Sequence, residues 1–350
     1  MKIAVVLIVR DWAALNEAYA FDQAFQALAD AGLSEPYYIL IAEGFDKVPP
    51  QVIERWRGSN ILIEDGSAAL AALTAESPHF AALPENPTHR VTLLRHLILE
   101  RYFGGEPVLS VDADIVWRMD PHRLFGGWRG GDFALGGSGF LVHAGGRDWF
   151  DAYRQGLESA LTGGALTADF REEKFGIDRI VHDQHLIRHL TAKGLVVDDW
   201  EACRVSPALA GLALMYNPLY PKLGLIDPPP RLTFERTGEG ERFSGAQVAF
   251  WHMQTSFSML CSFFFICQPL IEQHGGRLPF PRPKRGRDNL KAAMLHGLRE
   301  MIIAGHIGEE RLKALRPLMF RRGVYKAFFS GKFPALLFSD RYWWEAGVFS

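Results

Sequence analysis

The stretch VLSVDADIVWRMDP, residues 108–121, decides the fold. Its apolar run, residues 108–111, has the composition of a buried β-strand, and two aspartates, Asp112 and Asp114, follow that run at once. Carboxylates are rarely buried unless something pairs with them, so core packing alone does not explain these two residues. In parallel α/β sheets, ligands bind beyond the carboxyl ends of the strands. The stretch therefore predicts a ligand site at the end of a buried parallel strand.

The residues before this stretch alternate between strand patterns and helix patterns, which predicts an α/β fold with a mostly parallel sheet flanked by helices. After it, a glycine-rich bend predicts a pair of strands, followed by a helix from Asp148 to about Leu161 and by further irregular segments. The predicted strands are KIAVVLIV (2–9), YYILIAEG (37–44), NILIEDG (60–66), two within DFALGGSGFLVHAGG (132–146), LVVDDW (195–200) and QVAFWHM (247–253); the predicted helices are 16–33, 49–58, 91–105 and 182–194. We expect one catalytic domain, residues 1–270, and a helical, basic and aromatic C-terminal extension, residues 271–350.

The bulk composition is that of a globular protein with a formal net charge of −2, which argues against a nucleic-acid partner. Residues 281–350 are the exception, with 14 Lys or Arg against 6 Asp or Glu. Three cysteines without metal-ligand spacing and the lack of a secretory pattern predict a cytoplasmic protein. Residues 248–271 carry no Asp, Glu, Lys or Arg, but their polar residues and short dense apolar part predict core or surface rather than a membrane span.

The two aspartates suit a hard divalent cation. Alternate residues of an extended segment point the same way, so Asp112 and Asp114 can present oxygens to one ion. Such an ion would neutralise the charge that builds on a departing diphosphate. The structural alternative is a strand-end turn whose acids are solvated.

Several further motifs, taken in their order along the sequence, resemble the motifs of a known enzyme family. The segment VLSVDADIVWRMDP resembles the Asp-x-Asp segment of GT-A glycosyltransferases, which have a Rossmann-like fold, and especially the retaining enzymes of glycosyltransferase family eight. That resemblance spans roughly residues 2–254. The matching positions are Arg95 on the preceding helix, Ser138 within the hairpin 137–141, the pair Asp183 and Gln184, and His252 after a late strand. One departure is MQTSFSML (253–260), where the family often has a Gly-x-x-Lys segment that grips the diphosphate.

The resemblance implies a metal-dependent transfer of a hexose from a UDP-sugar to a hydroxyl of a saccharide or lipid-linked acceptor, with retention. It implies Mn²⁺, with Mg²⁺ as a substitute, because two carboxylates and an imidazole suit that ion. Structural alternatives remain for single residues: a core histidine, a helix-surface arginine, and an aspartate that caps a helix. The implied metal ligands are Asp112, Asp114 and His252, and the implied donor-binding residues are Arg95, Asp112, Ala113, Ser138 and Asp11. Asp183 and Gln184 are expected at the sugar. There Gln184 would stabilise oxocarbenium-like charge, and Asp183 would hold a hydroxyl or act as nucleophile.

Two other functions fit parts of the sequence. Haloacid-dehalogenase-type phosphatases also carry Asp-x-Asp after a strand, with Asp112 as nucleophile, Asp114 as acid and 198–199 as a later acidic pair. That motif normally closes the first strand, whereas about three strands precede it here. The missing lysine motivates a second alternative, a sugar-nucleotide-binding module without turnover.

The basic tail allows two interpretations. Its Lys and Arg residues, interleaved with Phe and Trp, suit peripheral contact with an anionic membrane, which would place the protein at the inner face of the membrane. The same composition suits a helical subdomain that packs its aromatic side chains on the core and leaves its charges in water.

Overall fold

The structure is a computed structural model that describes residues 1–83, 87–106, 108–125, 133–135, 140–143, 148–162, 183, 186, 187, 190, 212–213, 234–237, 240–243, 246–252, 303 and 305. The chain forms two compact units. The first unit comprises residues 1–13, 29–113 and 120–210, and the second comprises 14–28, 114–119 and 211–350. The domain boundary predicted between residues 270 and 271 lies outside the described residues.

A six-stranded sheet forms the centre of the first unit, in the order β3-β2-β1-β4-β7-β6. The strands β3, β2, β1 and β4 run parallel to one another, and β7 and β6 are added antiparallel. This arrangement confirms the predicted α/β class and the predicted pair of strands around the glycine-rich bend. The strands are β1 Lys2–Ile8, β2 Tyr37–Glu43, β3 Ile61–Asp65, β4 Val108–Ser110, β6 Phe133–Leu135 and β7 Phe140–His143.

Helices cover the parallel strands because both faces of these strands are apolar. On one face, Ala4 of β1 and Leu40 of β2 join a core cluster with side chains of three helices. On the other, Ile3 and Ile39 are equally buried, as the alternation of side chains along a strand requires. The helices are α1 Trp12–Tyr19, α2 Phe21–Asp30, α3 Pro50–Arg57, α4 Ser67–Glu76, α5 Pro87–Phe103, α6 Pro121–Phe125 and α7 Asp148–Thr162; short 3₁₀ turns span Phe45–Lys47 and Pro78–Ala82.

The second unit holds the remaining strands. β5 Ile115–Trp117 pairs antiparallel with β12 Phe250–His252, and Trp117 packs edge-on against Phe250 with ring centroids 5.0 Å apart. A four-stranded sheet has the order β8-β11-β10-β9. Its strands are β8 Leu212–Ala213, β9 Phe234–Thr237, β10 Gly240–Phe243 and β11 Ala246–Val248. The predicted strand at 247–253 is therefore present as β11 and β12. Among the described residues, no helix combines the length and the apolar composition that crossing a bilayer requires.

Several helical segments differ from the prediction, among them the unpredicted short helix α6 and the two described next. The helix predicted at 16–33 is two helices, because Ala20 adopts a left-handed φ of 51° between α1 and α2. Asn16 stabilises the turn between the two helices. Its Oδ1 accepts a hydrogen bond from the backbone N–H of Asp22 at 3.0 Å, and its Nδ2 donates to the Asp22 carboxylate. Helix α4 was not predicted, since its alanine-rich sequence gives no strong polar face.

Gly44, just after β2, is a position where we expect a large loss of stability on substitution. Its φ is +82°, and a Cβ placed there would lie 1.9 Å from the carbonyl oxygen of Val9. Gly44→Ala would combine left-handed strain of about 1–2 kcal/mol with a backbone clash of similar cost. We therefore expect the free energy of unfolding, measured by urea denaturation, to fall by about 3 kcal/mol.

Gly58, at the end of α3, is the matched control. It has a helical φ of −63°, and a Cβ there would meet no atom within 4 Å. Gly58→Ala is expected to change the free energy of unfolding by less than about 0.5 kcal/mol. Equal stability of the two variants would contradict the close approach of Gly44 to Val9.

Candidate functional site

The carboxyl end of β4 leads directly into the Asp-x-Asp segment. β4 lies beside β1 in the parallel part of the sheet, and the backbone N–H of Val111 still donates to the carbonyl oxygen of Ala4 at 3.0 Å. Asp112 follows as the first residue beyond that ladder. The structure thus places Asp112 where parallel sheets bind their ligands, as the sequence predicted.

Helix α5 contributes a positively charged side chain, Arg95, to this edge of the sheet. Leu93, Leu94 and Leu97 of this helix have no exposed surface, so the middle of the helix is buried. Its carbonyl at Leu93 accepts a hydrogen bond from the Tyr153 hydroxyl of α7 at 2.8 Å, which ties the two helices together. Arg95 projects from this buried helix with only 10% of its side chain exposed.

The Arg95 guanidinium joins two of the predicted site residues. Its Nη1 donates to Oδ1 of Asp112, and its Nε donates to Oδ2 of Asp183 at 2.5 Å. Asp183 is fully buried, whereas 20% of the Asp112 side chain is exposed. Three residues from distant parts of the sequence therefore form one cluster in the first unit, and Asp112 is its solvent-facing member.

A second side chain of α5, His96, completes this cluster. Its Nε2 lies 2.8 Å from the same Oδ2 of Asp183, and 1% of its side chain is exposed. Because a carboxylate only accepts hydrogen bonds, the ring proton lies on Nε2. The imidazole makes edge-to-face contacts with the rings of Trp149 and Tyr153, whose centroids lie 5.6 and 5.3 Å from its own. His96 Nδ1 has no hydrogen-bond partner within the described part of the chain.

Burial and charge set the protonation of these groups. Burial by itself would lower the pKa of the Arg95 guanidinium, but the charges of Asp112 and Asp183 raise that pKa above its ordinary value. Burial lowers the pKa of His96, and the hydrogen bond to Asp183 opposes this only in part. The cluster therefore contains one positive side chain, Arg95, between two acids, with a neutral imidazole beside them.

Asp114 and His252 belong to the second unit. In the antiparallel pair of β5 and β12, His252 lies opposite Ile115, the residue that follows Asp114. The backbone register thus brings two of the three predicted metal ligands close together, although the His252 side chain lies outside the described part. No group of three His, Cys, Asp or Glu residues that suits a metal ion occurs among the described residues. The metal site at Asp112, Asp114 and His252 stays a prediction.

The other predicted site residues are less informative. Ser138 and Gln184 lie outside the described residues. Asp11 accepts a hydrogen bond from the backbone N–H of Ala13 at 2.9 Å and so caps the first turn of α1, a structural role that neither supports nor opposes contact with a nucleoside. Ala113 is half-buried between the two aspartates.

The sequence did not single out His96, Trp149 and Tyr153. The usable signal was the pair Arg95-His96, two polar residues side by side in a helix that is otherwise apolar around them. Such a pair cannot sit on a hydrophobic face without partners, and a partner had to come from elsewhere in the chain.

Comparison with known proteins gives remote structural similarities. No family model and no curated protein matches the chain. Xyloside xylosyltransferase 1 from mouse, in its apo form, is similar with a TM-score of 0.42 and 10% identity, over 72% of this chain and 96% of that chain. Two structures of the glycosyltransferase GlyE from Streptococcus pneumoniae TIGR4 are similar at 16% identity. For the apo form the TM-score is 0.32, and the match covers 55% of this chain and 44% of the GlyE chain. For the other structure the TM-score is 0.31, and the match covers 54% of this chain and 43% of the GlyE chain. At these values the function has to be inferred from the residues of the site.

Proposed function

We propose that this protein is a glycosyltransferase that moves a hexose from a UDP-sugar to a hydroxyl of a saccharide or lipid-linked acceptor, with a divalent cation and with retention. The observation that carries the proposal is the cluster in which Arg95 links Asp112 to Asp183 at the carboxyl edge of the parallel sheet. The resemblance singled out these three residues at separate places along the sequence, and their juxtaposition supports that resemblance.

The carboxylates are the residues that would hold the metal. Asp112 is exposed enough to offer an oxygen, and Asp114 follows two residues later, which is a donor set that hard divalent cations prefer. Mn²⁺ or Mg²⁺ bound there would neutralise negative charge on the diphosphate leaving group. His252, opposite Ile115 in the strand register, is the proposed third ligand.

Arg95 would orient the donor. Its planar guanidinium is fixed by two carboxylates, so it stays charged and has little freedom to rotate. A pre-organised cation next to Asp112 suits the recognition of sugar hydroxyls or of a diphosphate oxygen. Ser138, Gln184, Ala113 and Asp11 remain proposed donor contacts on the strength of the sequence alone.

Asp183 is the buried acid of this site and binds Arg95. Because it has no exposed surface and its Oδ2 accepts from both Arg95 and His96, its surroundings favour a charge that anchors Arg95 over a nucleophile that attacks the sugar. Its contact with a sugar hydroxyl stays a prediction.

The phosphatase alternative has less support. The Asp-x-Asp motif of that class normally closes the first strand of the sheet, whereas Asp112 follows β4, the fourth strand along the chain. The later acidic pair, 198–199, lies outside the described residues, as does nearly all of the basic segment 281–350 proposed to contact an anionic membrane.

We expect a UDP-sugar to stabilise the protein only when Mn²⁺ is present. A ligand at 100 times its dissociation constant adds about 2.7 kcal/mol, which should raise the Tm by a few degrees in a thermal-shift assay. Asp112→Asn should abolish this Mn²⁺-dependent rise, because a carboxamide lacks the charge that holds the ion. Release of UDP on addition of a saccharide acceptor then tests transfer itself.

Asp65→Asn provides the control for this assay. Asp65 also ends a parallel strand of the same sheet, but it is exposed and its Oδ1 accepts from the backbone N–H of Ser67 at 2.9 Å. This variant should keep the full rise in Tm. No stabilisation of the unmodified protein by any sugar nucleotide with Mn²⁺ would overturn the proposal; stabilisation without turnover would identify a binding module, and release of phosphate from a phosphomonoester would favour the phosphatase.

A further inference from the structure

Asp183 is held by two hydrogen-bond donors that come from neighbouring residues of α5. Arg95 Nε and His96 Nε2 both donate to the same oxygen, Oδ2, at 2.5 and 2.8 Å. A guanidinium alone can pivot about a single carboxylate oxygen, whereas two donors fixed to one rigid helix define where that oxygen lies. The position of Asp183 relative to α5 therefore depends on His96 as well as on Arg95.

The surroundings of His96 hold the ring in one orientation. Trp149 and Tyr153 stack on each other with ring centroids 5.2 Å apart and an interplanar angle of 12°, and both meet the imidazole at 80°. Tyr153 is fixed in turn by its hydrogen bond to the Leu93 carbonyl on α5. Packing against this stacked pair thus aims Nε2–H at Asp183, and the neutral ring adds a donor without adding a charge.

From these contacts, and on the basis of the function proposed above, we propose that His96 is a positioning residue of the donor site. It holds Asp183, Asp183 fixes the guanidinium of Arg95, and Arg95 fixes the partly exposed carboxylate of Asp112. His96 itself is buried and touches neither metal nor sugar. Outer partners that orient a ligating or binding group commonly change activity or affinity by about 10–100-fold when removed.

Two substitutions separate the hydrogen bond from simple packing. His96→Leu fills a similar volume but removes the donor, and we expect kcat/KM for the UDP-sugar to fall about 10–100-fold. His96→Gln can place an amide N–H near the position of Nε2, and we expect its kcat/KM to stay within about fivefold of the original value. Leu73→Ala removes a fully buried side chain from the same core cluster and should lower stability while leaving kcat/KM within about twofold.

A measurement that needs no activity accompanies the kinetics. In a ¹⁵N-labelled protein, the Nε–H of Arg95, assigned by its absence from Arg95→Lys, should exchange slowly with water because it is buried and bonded to Asp183. We expect exchange at least tenfold faster in His96→Leu and nearly unchanged in His96→Gln.

The two readouts distinguish failure of this proposal from failure of the proposed function. Full kcat/KM in His96→Leu, or a Gln variant no better than the Leu variant, overturns the positioning role. If the unmodified protein turns over no sugar nucleotide, the proposed function fails, and the Arg95 signal decides alone: slow exchange that persists in His96→Leu shows that His96 does not hold the cluster.

Discussion

Arg95→Met is expected to lower the free energy of unfolding by about 3–5 kcal/mol, because it removes the cation from between two carboxylates that the fold has already taken out of water. Asp183 has no exposed surface, and Asp112 is largely buried. Methionine replaces the aliphatic part of the arginine side chain, so most of the packing around α5 is retained. The loss therefore measures mainly the charge and its hydrogen bonds, and urea denaturation gives its size.

Arg101→Met is the matched control on the same helix. Arg101 also forms an ion pair, with Glu76 at 2.9 Å, but about half of its side chain is exposed. Exposed pairs contribute little, so we expect a change below about 1 kcal/mol. The contrast between the two positions isolates burial as the cause, since helix, substitution and type of pair are shared.

Arg95→Lys is expected to recover only part of the loss. A lysine carries the same charge but a single ammonium, which cannot bond to Asp112 and Asp183 with the fixed geometry of a planar guanidinium. We expect the Mn²⁺-dependent rise in Tm with a UDP-sugar to be lost in both Arg95 variants. A methionine variant as stable as the original protein would show that the cluster does not exist as described.

The sequence predicted the sheet and named three of the four residues of the cluster, but it did not predict their contacts with one another. Strands whose two faces are both buried read as near-continuous apolar runs, so β1, β2 and β3 were recognised from those runs. Because an apolar run ends just before it, Asp112 was predicted at the carboxyl end of a strand, and it follows β4 there; its contact with a ligand stays a prediction. Arg95 and Asp183 were found through their place in the order of motifs.

What the sequence did not predict depended on tertiary contacts. His96 becomes informative only when Asp183, from a distant segment, is seen beside it. The break between α1 and α2 falls at Ala20, a residue type that normally favours helix, because Asn16 and Asp22 supply the alternative hydrogen bonds. Helix α4 is stabilised by burial of Leu70 and Leu73 against the core and not by an amphipathic pattern.

Acid should destabilise this protein through two buried histidines. Burial lowers the pKa of His96, and burial also lowers the pKa of His122, although Asp120 and Glu35 oppose the shift at His122. His122 lies on α6, 5% exposed, with Glu35 Oε2 3.8 Å from its Nδ1. Both imidazoles are therefore neutral in the folded protein near neutral pH.

The direction of the effect follows from which state binds the proton. Above the ordinary histidine pKa of about 6.5, neither the folded nor the unfolded chain is protonated at these sites, and stability is complete. As the pH falls below that value, the two histidines become protonated in the unfolded chain but stay neutral in the folded chain. This difference persists until the pH reaches the lowered pKa that each histidine has in the folded protein. Each histidine then costs up to about 1.4 kcal/mol per pH unit. Between pH 7 and pH 5 the two together can remove up to about 4 kcal/mol.

Urea denaturation at a series of pH values, compared among variants, checks this. His96→Gln and His122→Gln should each reduce the slope of unfolding free energy against pH between 6.5 and 5, and the double variant should reduce it by about the sum, because the two sites occupy different parts of the first unit. Carboxylates that also titrate in this range are common to all variants, so the difference in slope belongs to the histidine. His79→Gln, at an exposed histidine, should leave the slope unchanged. If His96→Gln has the slope of the original protein, the imidazole takes up its proton as readily in the fold as in the unfolded chain, which contradicts the lowered pKa of His96.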